Sequence, residues 1–201
     1  MTSLHLDPLY LDPKQTALVL IDLQNGIVAR TTAPYSSAEV VQKGKRLAQA
    51  FRAKGATVVY VRVDMANFLA LPVDEPSRAP NAPPPPATAS ELVPEAGFES
   101  GDLLITKRHW GAFAGTELEQ ALKERGIDTV VLGGISTNMG VESTARQGTG
   151  LGFAFVIVED TCATSMGEEA HRFAFEKIFP RLARVRKMAE VIAGLGWEVR
   201  G

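Results

Sequence analysis

Five short runs rich in β-branched and other apolar residues recur along the chain: 17–23 (ALVLIDL), 57–63 (TVVYVRV), 102–106 (DLLIT), 129–133 (TVVLG) and 153–158 (FAFVIV). Apolar side chains at successive positions, not only alternate ones, suit strands covered on both faces, the condition of a parallel sheet. The intervening segments have helical spacing. Between the first two runs, Val40, Val41, Gly44, Leu47, Ala48 and Phe51 fall on one helical stripe, Ser36 and Glu39 form an S-x-x-E capping box, and Gly55 stands where such a helix ends. After the third run, Thr116 and Glu119 repeat the capping pattern before Leu118, Ala121 and Leu122, with Gly126 as the stop. After the fourth, Val141, Thr144, Ala145 and Gly148 present small side chains that let a helix lie close to a sheet, with Gly150 and Gly152 at its exit. A helix before Pro180 and a strand-then-helix stretch over 183–195 complete the pattern. Strict alternation predicts a Rossmann-like three-layer α/β/α sandwich on a mostly parallel six-stranded sheet with right-handed crossovers.

With 201 residues, the chain is expected to form one domain over 1–201. One region departs from the alternation. Eight of the 12 prolines lie between Pro72 and Pro94, so the stretch at about 64–100 can be neither a regular helix nor a central strand. It is expected to be a stiff excursion: a surface loop, a wall over the site, or an arm on a neighbouring subunit. Lys plus Arg is 21 against 23 for Asp plus Glu, a net charge of −2 that argues against a nucleic-acid or anionic-membrane partner. The lone cysteine, Cys162, rules out an internal disulfide and a thiolate cluster. No signal-like or membrane-spanning run is evident, and a cytoplasmic setting is expected.

In open parallel sheets ligands gather beyond the carboxyl ends of the strands. Asp22 ends the first run, Lys107 follows the third, and the loop 134–140 (GISTNMG) follows the fourth. Alone, Asp22 could simply cap a loop and Lys107 could be solvated. Together after buried strands, they are expected to pair, because an isolated charge there would be costly.

These residues sit within longer motifs: VLIDLQN at 19–25, K-x-x-x-GAF-x-GT at 107–116, GGISTN-x-GVESTAR at 133–146 and VEDTCA at 158–163. Their order and spacing resemble the isochorismatase-like hydrolase superfamily over nearly the whole chain. The resemblance implies a catalytic Asp and Lys at Asp22 and Lys107. In the amidase branch a nucleophilic cysteine opens the helix after the fourth strand, and the matching position here is Gly140. Glycine cannot attack a carbonyl, so covalent thioester chemistry is not expected. The isochorismatase branch also has glycine there and cleaves an enol ether with the Asp as acid. The implied activity is hydrolysis of isochorismate or a related small carboxylate, with no cofactor. An inactive member that binds a small ligand or a protein partner is the alternative, and an amidase with a relocated nucleophile is a third reading.

The resemblance further implies a non-proline cis peptide at Ile135–Ser136. That bond would aim the Ser136 and Gly140 backbone N–H groups into the site as a carboxylate clamp. Phe113 matches a site aromatic and Trp110 is a candidate pocket wall, although packing under the next helix is the plain alternative for both. Arg62 and Arg108 are the nearest candidate cations for a substrate carboxylate, while Arg146 is expected to make a structural ion pair. Cys162 is expected to be buried and inert. No metal is expected: Asp64 lacks the adjacent histidines of metal-holding relatives, and His5, His109 and His171 are scattered. Homodimers or homotetramers are implied by resemblance.

Overall fold

The computed structural model describes residues 8–79 and 81–196. Six strands form one parallel sheet: β1 (Thr16–Ile21), β2 (Thr57–Val63), β3 (Leu103–Lys107), β4 (Thr129–Ile135), β5 (Ala154–Ala163) and β6 (Arg184–Arg186). Their spatial order is β3-β2-β1-β4-β5-β6, and every adjacent pair is parallel. The order reverses between β1 and β4, a switch point where the following loops diverge and leave a crevice.

Strand side chains alternate between two cores. Leu18, Leu20, Val58 and Tyr60 face helices α2 (Ser37–Ala53) and α6 (Met188–Gly194). Val19, Ile21, Val59, Val61 and Ile105 face α3 (Leu118–Glu124), α4 (Glu142–Gly150) and the helical turns around Phe175. Every β1 residue is buried, which explains the continuous apolar run. Helix α2 carries the expected capping box: Ser36 Oγ accepts the Glu39 N–H and Glu39 accepts the Ser36 N–H. Close packing of α4 is also met, since a Cβ on Gly148 would lie 2.4 Å from Phe155 Cζ.

Two local expectations need correction. Thr116 and Glu119 form no capping box. Thr116 Oγ1 donates to the Ala112 carbonyl and accepts the Leu118 N–H, while Glu119 pairs with Lys123 one turn on. Strands β4 and β5 run past their predicted ends, to Ile135 and Ala163, with a register shift between Leu132 and Gly134.

The proline-rich excursion contains only short turns, at Ala87–Ser90 and Pro94–Ala96. Its returning half is sewn to the end of β1: Asn25 N–H donates to the Glu91 carbonyl at 3.0 Å and Val93 N–H to the Leu23 carbonyl at 3.0 Å. The buried Gln24 side chain accepts the Val63 N–H and donates to the carbonyls of Val63 and Ala89. Among the described residues, no helix is long and apolar enough to cross a membrane.

Candidate active site

Asp22 directly follows strand β1 and adopts a left-handed backbone with φ 55°, a conformation aspartate tolerates better than branched residues do. Its Oδ2 accepts a hydrogen bond of 2.8 Å from Lys107 Nζ at the end of β3. Nζ also donates to the Trp110 carbonyl at 2.7 Å. The Lys107 side chain is 1% exposed and that of Asp22 8%, so the pair is almost wholly removed from water. Asp22 Oδ1, also buried, accepts no hydrogen bond among the described residues. Burial pushes the Asp22 carboxyl above the usual aspartate range; the Lys107 ammonium and, more weakly, Arg30 pull it back without cancelling that rise.

The loop after β4 completes the arrangement. The Ile135–Ser136 peptide is cis. Gly134, at φ 128°, lies so close to Ile21 that a Cβ would be 2.2 Å from the Ile21 carbonyl oxygen, so only glycine fits. The turn Thr137–Val141 is widened, with the Val141 N–H reaching the Ser136 carbonyl, and it leads into α4. It lays Gly140 against the charged pair. A Cβ there would lie 3.1 Å from Lys107 Nζ and 3.2 Å from Asp22 Oδ2.

Asp22, Lys107 and Gly140 therefore converge. Trp110 reaches them through its carbonyl, while its ring packs edge-on against Phe68 at 5.0 Å. Ser136 lies on the adjoining loop, its hydroxyl 2.7 Å from Thr164 Oγ1 at the end of β5. Two expectations fail, those for the side chains of Phe113 and Arg62. Phe113 is a core residue, stacked on Phe153 at 5.6 Å, because its apolar ring finds a partner under α4. Ile135 contributes its backbone only; its side chain is 1% exposed in the core facing α2. Arg62 shares the strand parity of Tyr60 and points to the opposite face of the sheet from Lys107, bonded to Thr106 Oγ1 and the Ser90 carbonyl. Arg108 lies exposed, 3.9 Å from Asp64, and Arg146 pairs with Glu142 along α4.

Cys162 sits in the core opposite Gly134, where burial raises its thiol pKa well above that of a free cysteine. His109 stacks on Phe68 and His171 is buried beside Thr137; His5 lies outside the described residues.

Two residues near the pair escaped the sequence reading. Gln24 stands in the VLIDLQN motif but shows its clamping role only in three dimensions. Arg30, just after the short helix α1 (Asn25–Val28), is exposed, and among the described residues nothing accepts a hydrogen bond from its guanidinium. Its loop is fastened at the carboxyl edge: Ser37 Oγ donates to the Arg30 carbonyl, and Ala33 exchanges two 2.9 Å backbone bonds with Thr164. A loop cation without periodic neighbours leaves no pattern to read.

A sequence model described as the isochorismatase domain matches residues 16–190. The chain belongs to the isochorismatase family. YecD of Escherichia coli O157:H7, an isochorismatase family protein, is 47% identical over 199 residues, covering 93% of this chain and 100% of that protein. A solved isochorismatase family protein from Burkholderia thailandensis superposes with a TM-score of 0.85 at 40% identity, over 94% of this chain and 98% of that one. A ureidoacrylate amidohydrolase of Acinetobacter baylyi is 27% identical over 201 residues, covering 86% of this chain and 80% of that protein. Membership makes this isochorismatase-family chain a hydrolase. For such a hydrolase, a buried carboxyl held by one ammonium and open at its second oxygen is suited to moving a proton.

Proposed function

We propose that this hydrolase cleaves the enol ether of isochorismate, or of a related small carboxylate, by proton donation from Asp22. The observation that carries the reading is the buried Asp22 carboxyl, bonded to Lys107 through Oδ2 and unpartnered at Oδ1. A carboxyl that holds its proton to higher pH than an ordinary aspartate is the better placed to act as an acid. In this mechanism Asp22 protonates the terminal methylene carbon of the enolpyruvyl group, giving an oxocarbenium ion. Water adds to that ion and returns a proton to Asp22, and the hemiketal collapses to pyruvate and the ring alcohol. Lys107 stabilises the carboxylate that exists between the two transfers.

No protein nucleophile takes part. Gly140 offers no sulfur, and even a Cβ there would press to 2.8 Å on Ile21 Cγ2, so the backbone closes on the position a cysteine would take, which supports direct attack by water over thioester chemistry. The backbone of Ser136 and Gly140 clamps one substrate carboxylate, and Arg30 receives the other, in place of Arg62. A homodimer or homotetramer in the cytoplasm is the setting this reading carries with it.

The test is pyruvate release from isochorismate by the purified protein, followed with lactate dehydrogenase. Release by the wild type and its loss in a folded Asp22→Asn variant are the expected results. No release from the wild type, with binding of the same compound intact, would make the chain a binding member of its family.

A further inference from the structure

Behind the loop that carries Gly140 lies a second polar cluster, which the proton-transfer chemistry does not use. Thr137, the first residue of the widened turn, is fully buried, and its Oγ1 lies 2.9 Å from His171 Nδ1 on α5 (Glu168–Phe173). The other ring nitrogen, Nε2, is buried without a hydrogen bond and faces Glu159 Oε1 of β5 at 3.6 Å. Glu159 is gripped in turn by Lys187, before α6, and by the Tyr35 hydroxyl at 3.3 Å, from the loop before α2. Burial alone would raise the Glu159 carboxyl, but His171 and Lys187 outweigh it and hold the group at about 2. The His171 ring is sandwiched, with Phe175 at 4.5 Å and Tyr35 edge-on at 6.3 Å. Lys43 of α2 lies 4.3 Å over the Tyr35 ring and pairs with Asp160. Helix α5 grips the turn once more at the next position, where Asn138 Nδ2 donates to the Ala170 carbonyl at 2.9 Å.

This order of atoms dictates the proton positions. A ring nitrogen facing a carboxylate carries its hydrogen, because two lone pairs would repel. In the tautomer with its hydrogen on Nε2, Nδ1 is the acceptor and the Thr137 hydroxyl donates to it. An apolar side chain in place of His171 would leave that buried hydroxyl unpaired, at a cost that would pull the turn toward water. The turn has little room to shift, since it holds Gly140 where a Cβ would come to 2.8 Å from Ile21 Cγ2 and within 3.2 Å of both members of the charged pair.

We infer that His171 is a positioning residue: braced by Glu159, it holds Thr137 and so fixes the turn that seats Gly140 against Asp22 and Lys107. The inference rests on reading that pair as the reacting groups, and its test separates the two. In the wild type, 15N spectra of the His171 ring are expected to show a protonated Nε2 and an acceptor Nδ1, a preference that Glu159→Gln weakens. Thr137→Val keeps the shape and removes the hydroxyl; Thr137→Ser restores it. In folded Thr137→Val, the 13C titration of the Asp22 carboxyl is expected to move down toward that of ordinary aspartate as water enters beside it. Turnover of isochorismate is expected to fall roughly 10–100-fold in kcat, with KM nearly unchanged, and Thr137→Ser should recover both readouts. If Thr137→Val does not fold, His171→Gln carries the same comparison. An unchanged Asp22 titration in folded Thr137→Val or His171→Gln overturns the positioning role. A shifted titration in a protein that never releases pyruvate overturns the enol-ether chemistry and leaves the positioning role standing.

Discussion

Two ion pairs with a buried carboxylate stand at opposite edges of the sheet, and they are built differently. At the amino edge, Arg52 of α2 grips Asp102 with two hydrogen bonds, Nε to Oδ1 at 2.9 Å and Nη2 to Oδ2 at 2.6 Å. The same carboxylate accepts the Glu99 N–H, while Nη1 donates to Glu99 Oε1 and Nη2 also donates to the Gly97 carbonyl. All three guanidinium nitrogens and both carboxylate oxygens are engaged, and the hydrogen bond to Asp102 raises the Arg52 pKa further. At the carboxyl edge, Lys107 holds one oxygen of Asp22 and leaves the other bare. A planar fork satisfied on all sides fastens structure, whereas a point charge on half of a dehydrated carboxyl leaves a proton able to move. A cleft of about 740 Å³, lined by Asp12, Lys54 and Asp128 among others, lies at the amino edge, away from Asp22.

The contrast is broken most directly by exchanging oxygen for nitrogen at each carboxylate. Asp22→Asn should lower pyruvate release by about 10²–10⁴, the range for loss of a general acid, with the circular dichroism spectrum retained. The wild-type pH profile sharpens the same point. Because folding raises the Asp22 pKa, the acid form persists above the ordinary carboxylate range, and kcat/KM should decline as pH rises through that raised value. A profile flat through that region would remove Asp22 as the acid.

Asp102→Asn should show the reverse character. Turnover should stay within about twofold, while urea unfolding reports a loss of about 2–4 kcal/mol from a part-buried charged pair. Arg30→Ala should raise KM for a carboxylate substrate about tenfold with little change in kcat, since it removes one charge-assisted contact made before and during reaction. Arg62→Ala, on the opposite face, should leave KM unchanged. Smallest is Cys162→Ala, expected to keep full activity and to cost about 1 kcal/mol for a buried sulfur in a packed core. Abolished activity there would revive a relocated nucleophile.

Much of this was legible in the residues. Asp22 stands out because it follows a run buried on both faces, and Lys107 because it closes the third apolar run, although edge strand β3 is exposed on one face; the carboxyl-edge rule does the rest. Phe113 misleads, because an aromatic beside a site and an aromatic under a helix have the same local sequence. Arg62 misleads for a geometric reason: its position along β2 is right, but strand parity turns it to the other face. Thr137 and His171 lie 34 residues apart, and Glu159 and Lys187 28 apart, so nothing local announces either contact.

The sequence by itself determined the layers, the edge that carries chemistry and the absence of sulfur where Gly140 stands, because periodicity and residue type are local properties that folding does not alter. Only the tertiary structure decided which carboxyl oxygen is bare, which arginine lies near Asp22 and what braces the turn behind Gly140. Those outcomes depend on burial and on distances between elements far apart in the chain, and no local pattern encodes them.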